Sequence, residues 1–158
     1  MKKLLATLFT LTLFISCTSS DKNIDTTPPK DYSAENDKEI TDYLTKNNLT
    51  ATKSSTGLYY IINEPGTGAQ PTAASKVTVA YKGYFTNGNV FDQSNASGIT
   101  FSLSEVIKGW TEGITYFKEG GSGILLIPSN LAYGSYARPG IPAGSVLLFD
   151  VKLIAVSK

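Results

Sequence analysis

The fold depends on the stretch VIKGWTEGI, residues 106–114, which contains the only tryptophan of the chain. In and just after this stretch, apolar residues recur near the helical period, at Val106, Ile107, Trp110, Ile114 and Phe117. This spacing predicts one short amphipathic helix with its lead-in. Because one face of such a helix is apolar, we expect a sheet to cover it.

Two glycines distinguish this predicted helix. Gly109 and Gly113 each destabilise a helix interior by about 1 kcal/mol relative to alanine, so their presence indicates close packing against a neighbouring element. Trp110 lies between them and has two interpretations. It fills the hydrophobic core, which the helix pattern alone favours, or it forms the floor of an apolar pocket.

The first sixteen residues have the features of a secretory signal peptide. Two lysines precede an apolar run over residues 4–15, which is shorter than the roughly 20 residues of a membrane-spanning helix. The sequence FISC, residues 14–17, resembles the lipobox of bacterial lipoproteins, although Phe14 replaces the usual leucine. We therefore expect a cell-envelope protein, periplasmic or at the outer membrane, anchored by lipid on Cys17. The alternative is an ordinary signal peptide with an incidental cysteine.

Charge and cysteine content narrow the functional class. Loss of Lys2 and Lys3 with a signal peptide leaves 12 basic residues against 13 acidic ones, a net charge of about −1. There is no basic stripe, so nucleic-acid binding is not indicated. Cys17 is the only cysteine, and no intrachain disulfide can form.

The next segments are predicted to be a tether and a helix. Residues 17–32 are polar and lack hydrophobic periodicity, which is typical of a tether. Residues 33–49 predict a helix that has Ser33 as its N-cap, acidic residues in its first turns, and a stop at Asn47 and Asn48. Its narrow apolar edge consists of Ile40, Tyr43 and Leu44. We expect this helix to dock on the following domain, and the protein to be a monomer, because the edge is short.

Residues 52–158 alternate between strand and turn patterns. Strands are predicted at residues 58–62, 77–81, 124–127 and 146–154. Gly83 is expected to end the second strand, and Asn87-Gly88 predicts a tight turn before residues 90–92. A segment of about 107 residues can bury its own core as one domain. The predicted fold class is α+β, an antiparallel sheet wrapped around one short helix, with an extra N-terminal helix.

The available side chains favour binding over acid–base chemistry. The chain has no histidine, the commonest general base and metal ligand. The carboxylates form no hydrolytic pair or calcium loop, and no phosphate-binding glycine loop is present, so we expect no metal and no cofactor. Aromatic residues that converge from several elements suit a pocket for a flat apolar group, and the candidates are Tyr81, Phe91, Phe101, Trp110, Tyr133 and Phe149.

Several spaced motifs carry a family resemblance. In order they are VTVAYKG (77–83), GNVFDQS (88–94), FSL (101–103), VIKGWTEG (106–113), IP (127–128), LAYG (131–134), IP (141–142) and LFDV (148–151). Over residues 70–158 the chain resembles the FKBP-type peptidyl-prolyl cis-trans isomerases, the tacrolimus-binding immunophilins. The resemblance implies an FKBP-like fold and a proline-binding pocket.

The resemblance also assigns residues to that pocket. The catalytic set that it implies is Tyr81, Phe91, Asp92, Trp110, Tyr133 and Phe149, and the further substrate-binding residues are Ile99, Val106, Ile107 and Ile141. In the family, the backbone N–H at Ile107 and the hydroxyl at Tyr133 bond ligand carbonyls, and the tryptophan at Trp110 is the pocket floor. The pocket-floor interpretation of Trp110 is then favoured.

The sequence departs from the family pattern at the rim and the flap. Residues 93–98 lack an arginine that many relatives carry, so we predict that Tyr81 hydrogen-bonds Asp92 instead. Ile99 replaces a pocket aromatic, and Arg138 occupies a flap position that is often aromatic or histidine. These changes concern substrate preference and drug affinity more than activity.

The implied function is isomerisation of X-Pro bonds in envelope or secreted proteins, which assists their folding. Proline-containing clients, and macrolides of the tacrolimus type, are the expected ligands. Rotation about the bond needs no covalent step, which is consistent with a chain without histidine. Two other functions stay open: a membrane-tethered binding module or chaperone with little turnover, and a receptor that holds a ligand or glycan in the same cleft.

Overall fold

The computed structural model describes residues 29–157. The predicted signal peptide (1–16), the lipidation site Cys17 and the tether as far as residue 28 lie outside the described residues, and the predictions for them stay predictions. Within the described part of the chain, no helix is long and apolar enough to cross a membrane.

One seven-stranded antiparallel sheet and two α-helices form the fold within residues 29–157. The helices are α1 (Ser33–Lys46) and α2 (Lys108–Gly113), and the strands are β1 (Thr52–Lys53), β2 (Tyr59–Glu64), β3 (Lys76–Tyr84), β4 (Val90–Gln93), β5 (Ile99–Ser102), β6 (Ser122–Ile127) and β7 (Leu147–Ser157). Short 3-10 turns cover Leu103–Glu105, Ile114–Tyr116 and Ser129–Leu131. The strand order is β1-β2-β6-β7-β3-β4, and β5 also pairs with β3.

The two faces of the sheet are covered by different helices. Because side chains alternate along a strand, Leu125 of β6 lies in the core beneath α2, whereas its neighbour Leu126 lies in the cluster beneath α1. Phe149 and Leu148 of β7 divide in the same way. The predicted α+β class is confirmed, with the sheet between a short helix on one face and the N-terminal helix on the other.

Helix α2 is shorter than the periodicity predicts. Val106 and Ile107 have extended backbone and precede the helix, and Ile114 already belongs to a 3-10 turn. The predicted close packing is confirmed, because a Cβ atom on Gly109 would collide with Ile127, and one on Gly113 would lie 2.7 Å from Leu125. The two glycines therefore allow α2 to lie directly on β6.

Helix α1 docks on the sheet, as predicted. Ile40 and Leu44 are buried against a cluster formed by Tyr59, Leu126, Val146 and Leu148. The Asp37 carboxylate accepts a hydrogen bond from the Tyr59 hydroxyl at 2.7 Å. One short amphipathic edge is thus sufficient to seat this helix.

The predicted start of α1 is wrong by one residue. Tyr32 is the N-cap, and Ser33 is the first helical residue. The Asp31 carboxylate accepts hydrogen bonds from the Ser33 N–H at 2.9 Å and from the Ser33 hydroxyl at 2.6 Å. The helix ends at Lys46 with Asn47 as its C-cap, and Asn48 has a positive φ of 53°, in agreement with the predicted stop.

Gly83 does not end its strand, and that prediction is wrong. Strand β3 continues to Tyr84, and Gly83 pairs with Asp92 on one side and Phe149 on the other. The predicted tight turn is confirmed at Gly88, which has φ +88°. Its N–H donates to the Phe85 carbonyl at 2.8 Å. The short strands β1 and β5 were not predicted.

Candidate active site

A cavity of about 730 Å³ opens between α2, the strands around β3 and the loop after β6. It is lined by Tyr81, Phe91, Asp92, Ile99, Phe101, Glu105, Val106, Ile107, Trp110, Ala132, Tyr133, Pro139, Ile141 and Phe149. All ten pocket residues that the sequence assigned are therefore brought together here. Their chemical roles stay predictions.

Trp110 lines this cavity and is buried, with 5% of its surface exposed. Three aromatic rings meet it edge-on, with centroid distances of 5.2 Å to Tyr81, 5.2 Å to Phe101 and 5.1 Å to Phe149. Edge-to-face pairs of this kind stabilise each other beyond their buried area. Trp110 also belongs to the main hydrophobic core, so it is both a core residue and a lining residue of the cavity, and its role toward a ligand stays a prediction.

Strand geometry explains how the aromatic walls reach the cavity. Alternation along β3 places Tyr81 on the same face as the buried Val77 and Val79. Gly83 lies between β4 and β7, and a Cβ atom there would lie 2.8 Å from the Phe91 ring and 2.9 Å from the Phe149 ring. The missing side chain lets these two rings meet edge-on, at a centroid distance of 5.5 Å.

The predicted contact between Tyr81 and Asp92 is confirmed. The Tyr81 hydroxyl donates to the Asp92 carboxylate at 2.7 Å. Burial, and then this hydrogen bond, raise the pKa of Tyr81 to about 12. The Tyr81 N–H donates to the Ser94 hydroxyl at 2.9 Å, which joins the strand to the segment after β4. Tyr81 is therefore a neutral, fixed wall at physiological pH.

The loop after β6 forms the opposite wall. It brings Tyr133 and Ile141 to the cavity. The Arg138 guanidinium lies 5.7 Å from the centroid of the Tyr133 ring, and the Arg138 N–H donates to the Ile141 carbonyl at 2.8 Å. Within residues 29–157, the Ile107 N–H makes no hydrogen bond to another protein group, and its predicted role toward a ligand carbonyl stays a prediction.

Four lining residues were absent from the predicted site. Phe101 was noted as an aromatic candidate, and its place beside Trp110 follows from the pairing of β5 with β3. Glu105, Ala132 and Pro139 lie in turns and loops, where no periodicity indicates which way a side chain points. Ile99, which was predicted, is 46% exposed at the rim.

The chemistry of the cavity follows from its lining. Its walls are aromatic and aliphatic, and its polar side chains are the Tyr81–Asp92 pair, Tyr133 and Glu105. Within residues 29–157, no three His, Cys, Asp or Glu side chains are grouped as metal ligands. Such a site can enclose an uncharged ring and orient a carbonyl beside it. Fold and cavity together define a small α+β domain with one aromatic-lined cavity beside its short helix.

Comparison with known proteins identifies the family. The family model described as FKBP-type peptidyl-prolyl cis-trans isomerase matches residues 68–154. The chain belongs to this family.

Individual relatives agree with that assignment. A probable FKBP-type peptidyl-prolyl cis-trans isomerase FkpA of Neisseria meningitidis serogroup B is 48% identical over 106 residues, which cover 65% of this chain and 39% of the relative. The crystal structure of FkpA from Escherichia coli superposes with a TM-score of 0.71 at 41% identity, over 79% of this chain and 61% of that one. A peptidyl-prolyl cis-trans isomerase structure from Pseudomonas syringae has a TM-score of 0.69 at 32% identity, over 84% of this chain and 99% of that one. The chain spans less than half the length of the curated relatives it matches.

Proposed function

We propose that this protein is a peptidyl-prolyl cis-trans isomerase that acts on X-Pro bonds of envelope or secreted polypeptides and assists their folding. The observation that carries the proposal is the aromatic cavity itself, which is lined by the mutually packed rings of Tyr81, Phe91, Trp110 and Phe149. An apolar enclosure of this kind suits the pyrrolidine ring of proline. Family membership supports the same reaction.

Catalysis of this reaction lowers the barrier to rotation about the X-Pro bond and requires no covalent step. Rotation about an X-Pro bond breaks amide resonance against a barrier of about 18–20 kcal/mol. In the twisted transition state the carbonyl is less charge-separated than in the planar amide, so a cavity without water favours the twisted form. Trp110 and the aromatic walls would hold the proline ring, while the Ile107 N–H and the Tyr133 hydroxyl would hold carbonyls of the client.

A protease-coupled assay with a prolyl peptide tests this proposal. The purified protein should accelerate cis-to-trans conversion in proportion to its concentration, and a macrolide of the tacrolimus type should inhibit it by occupying the same cavity. Fluorescence of Trp110, the only tryptophan, reports occupancy independently of turnover. Peptide binding without any acceleration would favour a tethered binding module instead.

We propose further that the protein is a lipoprotein of the cell envelope, anchored through Cys17. The lipobox-like FISC at residues 14–17 and the polar stretch after it support this. Each buried CH₂ of an acyl chain contributes about 0.8 kcal/mol, so several chains hold a protein stably on a bilayer. A clickable fatty acid should label the wild type in cells and not Cys17→Ala. Equal labelling of both would contradict lipidation at this residue.

A monomer is the proposed oligomeric state. The apolar residues Ile40 and Leu44 of α1 are covered by the sheet of the same chain, which leaves little apolar surface on that helix for a second copy. Light scattering of the purified protein should give the mass of one chain. A stable dimer would overturn this proposal without affecting the isomerase proposal.

A further inference from the structure

Asn36 is a buried polar residue on α1, remote in sequence from the cavity. Asn36 is 2% exposed, and within residues 29–157 the only other buried polar residue is Ser129. The Asn36 Oδ1 atom accepts a hydrogen bond from the Ser129 N–H at 2.8 Å, and its Nδ2 atom donates to the Gly144 carbonyl at 2.8 Å. One amide therefore joins two points that are fifteen residues apart in the chain.

These two points are the ends of the loop that walls the cavity. Within this loop, residues 129–144, the Gly134 N–H donates to the Ser129 carbonyl at 2.7 Å, and the Gly144 N–H donates to the Gly134 carbonyl at 2.9 Å. Together with the two bonds of Asn36 they close a ring of four hydrogen bonds. Because Tyr133 directly precedes Gly134, this ring sets the backbone from which Tyr133 enters the cavity.

The chain before α1 holds the same loop from outside. Gly144 has φ +73°, and a Cβ atom there would overlap the Tyr32 ring, which shows how closely the two segments pack. The Ser135 hydroxyl donates to the Lys30 carbonyl at 2.5 Å. The loop is thus attached to the N-terminal segment at several points, and Asn36 is the one that connects both of its ends.

We propose that Asn36 is a positioning residue of the active site. Through the hydrogen-bonded ring it holds the loop of residues 129–144, and with it Tyr133, against the cavity, so α1 is part of the frame of the site and does more than connect it to a tether. A side-chain amide supplies one acceptor and one donor at these two positions, whereas a carboxylate supplies acceptors only. This inference rests on the proposed isomerase function for its kinetic consequence.

A conservative substitution separates positioning from general stability. Asn36→Asp keeps an acceptor for the Ser129 N–H and loses the donor to the Gly144 carbonyl. Ile40→Val is the matched control, because it removes one methylene from the same helix without touching the ring. Hydrogen–deuterium exchange at the Gly134 and Gly144 amides should be faster in Asn36→Asp and unchanged in Ile40→Val. kcat/KM for a prolyl peptide should fall about tenfold in the first variant only.

A double-mutant cycle tests whether Asn36 acts through Tyr133. In a Tyr133→Phe background, where the hydroxyl is already absent, Asn36→Asp should lower kcat/KM by less than about twofold. Asn36→Ser serves as the second variant if the aspartate variant does not fold. Equal losses in both backgrounds, or unchanged exchange at Gly144, would overturn the proposal. A wild type without turnover would overturn the proposed function instead. The role of Asn36 would then be decided by hydrogen–deuterium exchange at Gly134 and Gly144 and by Trp110 fluorescence during peptide titration.

Discussion

At the scale of single residues, the cavity depends on two phenylalanine rings that meet over a glycine. Phe91 is only partly buried, so its removal changes the cavity wall more than the core. We expect Phe91→Ala to lower kcat/KM for a prolyl peptide at least tenfold, which is about 1.4 kcal/mol of lost transition-state stabilisation. The measurement is the protease-coupled assay with urea unfolding in parallel.

Tyr60→Ala is the matched control for Phe91→Ala. Tyr60 is a partly buried aromatic residue of the same sheet that stacks on Tyr116 at a centroid distance of 4.2 Å and does not line the cavity. It should lose stability and retain kcat/KM. Equal kinetic losses in both variants would mean that the assay reports general loosening of the sheet, and the assignment of Phe91 to the site would be wrong.

The Asp92 carboxylate accepts the hydrogen bond of the Tyr81 hydroxyl, and we expect this bond to be its main contribution to the site. We expect Asp92→Ala to reduce kcat/KM less than Phe91→Ala does, because the aromatic walls stay in place. The same variant should lower the pKa of Tyr81 from about 12, since a hydrogen bond to a carboxylate is lost, but leave it above about 10, because burial is the larger cause. Tyrosine-selective NMR titration measures this shift. An unchanged Tyr81 titration would show that the hydrogen bond does not form in solution.

At the scale of elements, Gly109 and Gly113 allow α2 to pack closely on β6. Gly113→Ala should destabilise the fold by about 1–3 kcal/mol through overpacking against Leu125, although alanine is the better helix former. In a Leu125→Val background, which is one carbon smaller and has no δ-carbons at the positions nearest the new Cβ, the same change should be neutral or stabilising. Urea unfolding of the four proteins measures the cycle. Equal free-energy changes in both backgrounds would contradict close packing as the reason for this glycine.

Elements with a strong local signal could be predicted from the sequence. Glycines at helical spacing predicted a helix closely packed on its neighbour, and three apolar residues in a polar stretch predicted the docking of α1. The sequence favours Ser33 as the N-cap because serine is a capping residue type, whereas the observed N-cap, Tyr32, is not one and makes no side-chain capping hydrogen bond. Strand β5 has only four residues, Ile-Thr-Phe-Ser, and their short apolar–polar alternation was not recognised as a strand signal.

Features that depend on long-range contacts could not be predicted. Gly83 looks like a strand end locally, and its role becomes visible only when β4 and β7 bring two rings above it. The aromatic residues are pocket candidates from the sequence itself, and the family resemblance assigns most of them to a proline pocket. Pro139 has no local signal, because the loop path decides where it points. Asn36 resembles any solvated residue of a polar helix until the loop of residues 129–144 is in place.

At the scale of the whole molecule, we expect the free energy of unfolding to depend on the charge states of Asp37 and Tyr81 only well away from neutral pH. The Asp37 carboxylate that helps to seat α1 has a lowered pKa, because Lys53 and Tyr59 hydrogen-bond it. Its contribution to stability is present above the unfolded-state pKa of about 4 and is lost only as the pH falls through the lower folded-state value. The pKa of Tyr81 is raised, so its contribution to stability has the opposite dependence on pH. Its contribution is present below about pH 10 and is lost as the pH rises toward about 12.

The last prediction concerns the rate itself. A bell-shaped profile reports an essential acid and base that titrate in the working range. The chain has no histidine, its only cysteine precedes the folded domain, and unperturbed carboxylates and tyrosines titrate near 4 and 10. If desolvation and twisting lower the barrier without proton transfer, kcat/KM should be nearly flat between about pH 5.5 and 8.5. A tenfold slope in that window, with the fold shown intact by circular dichroism at each pH, would require a titrating group in the reaction. Asp92 and Glu105 are the carboxylates that line the cavity, and replacing the one that takes part by alanine should then abolish the slope.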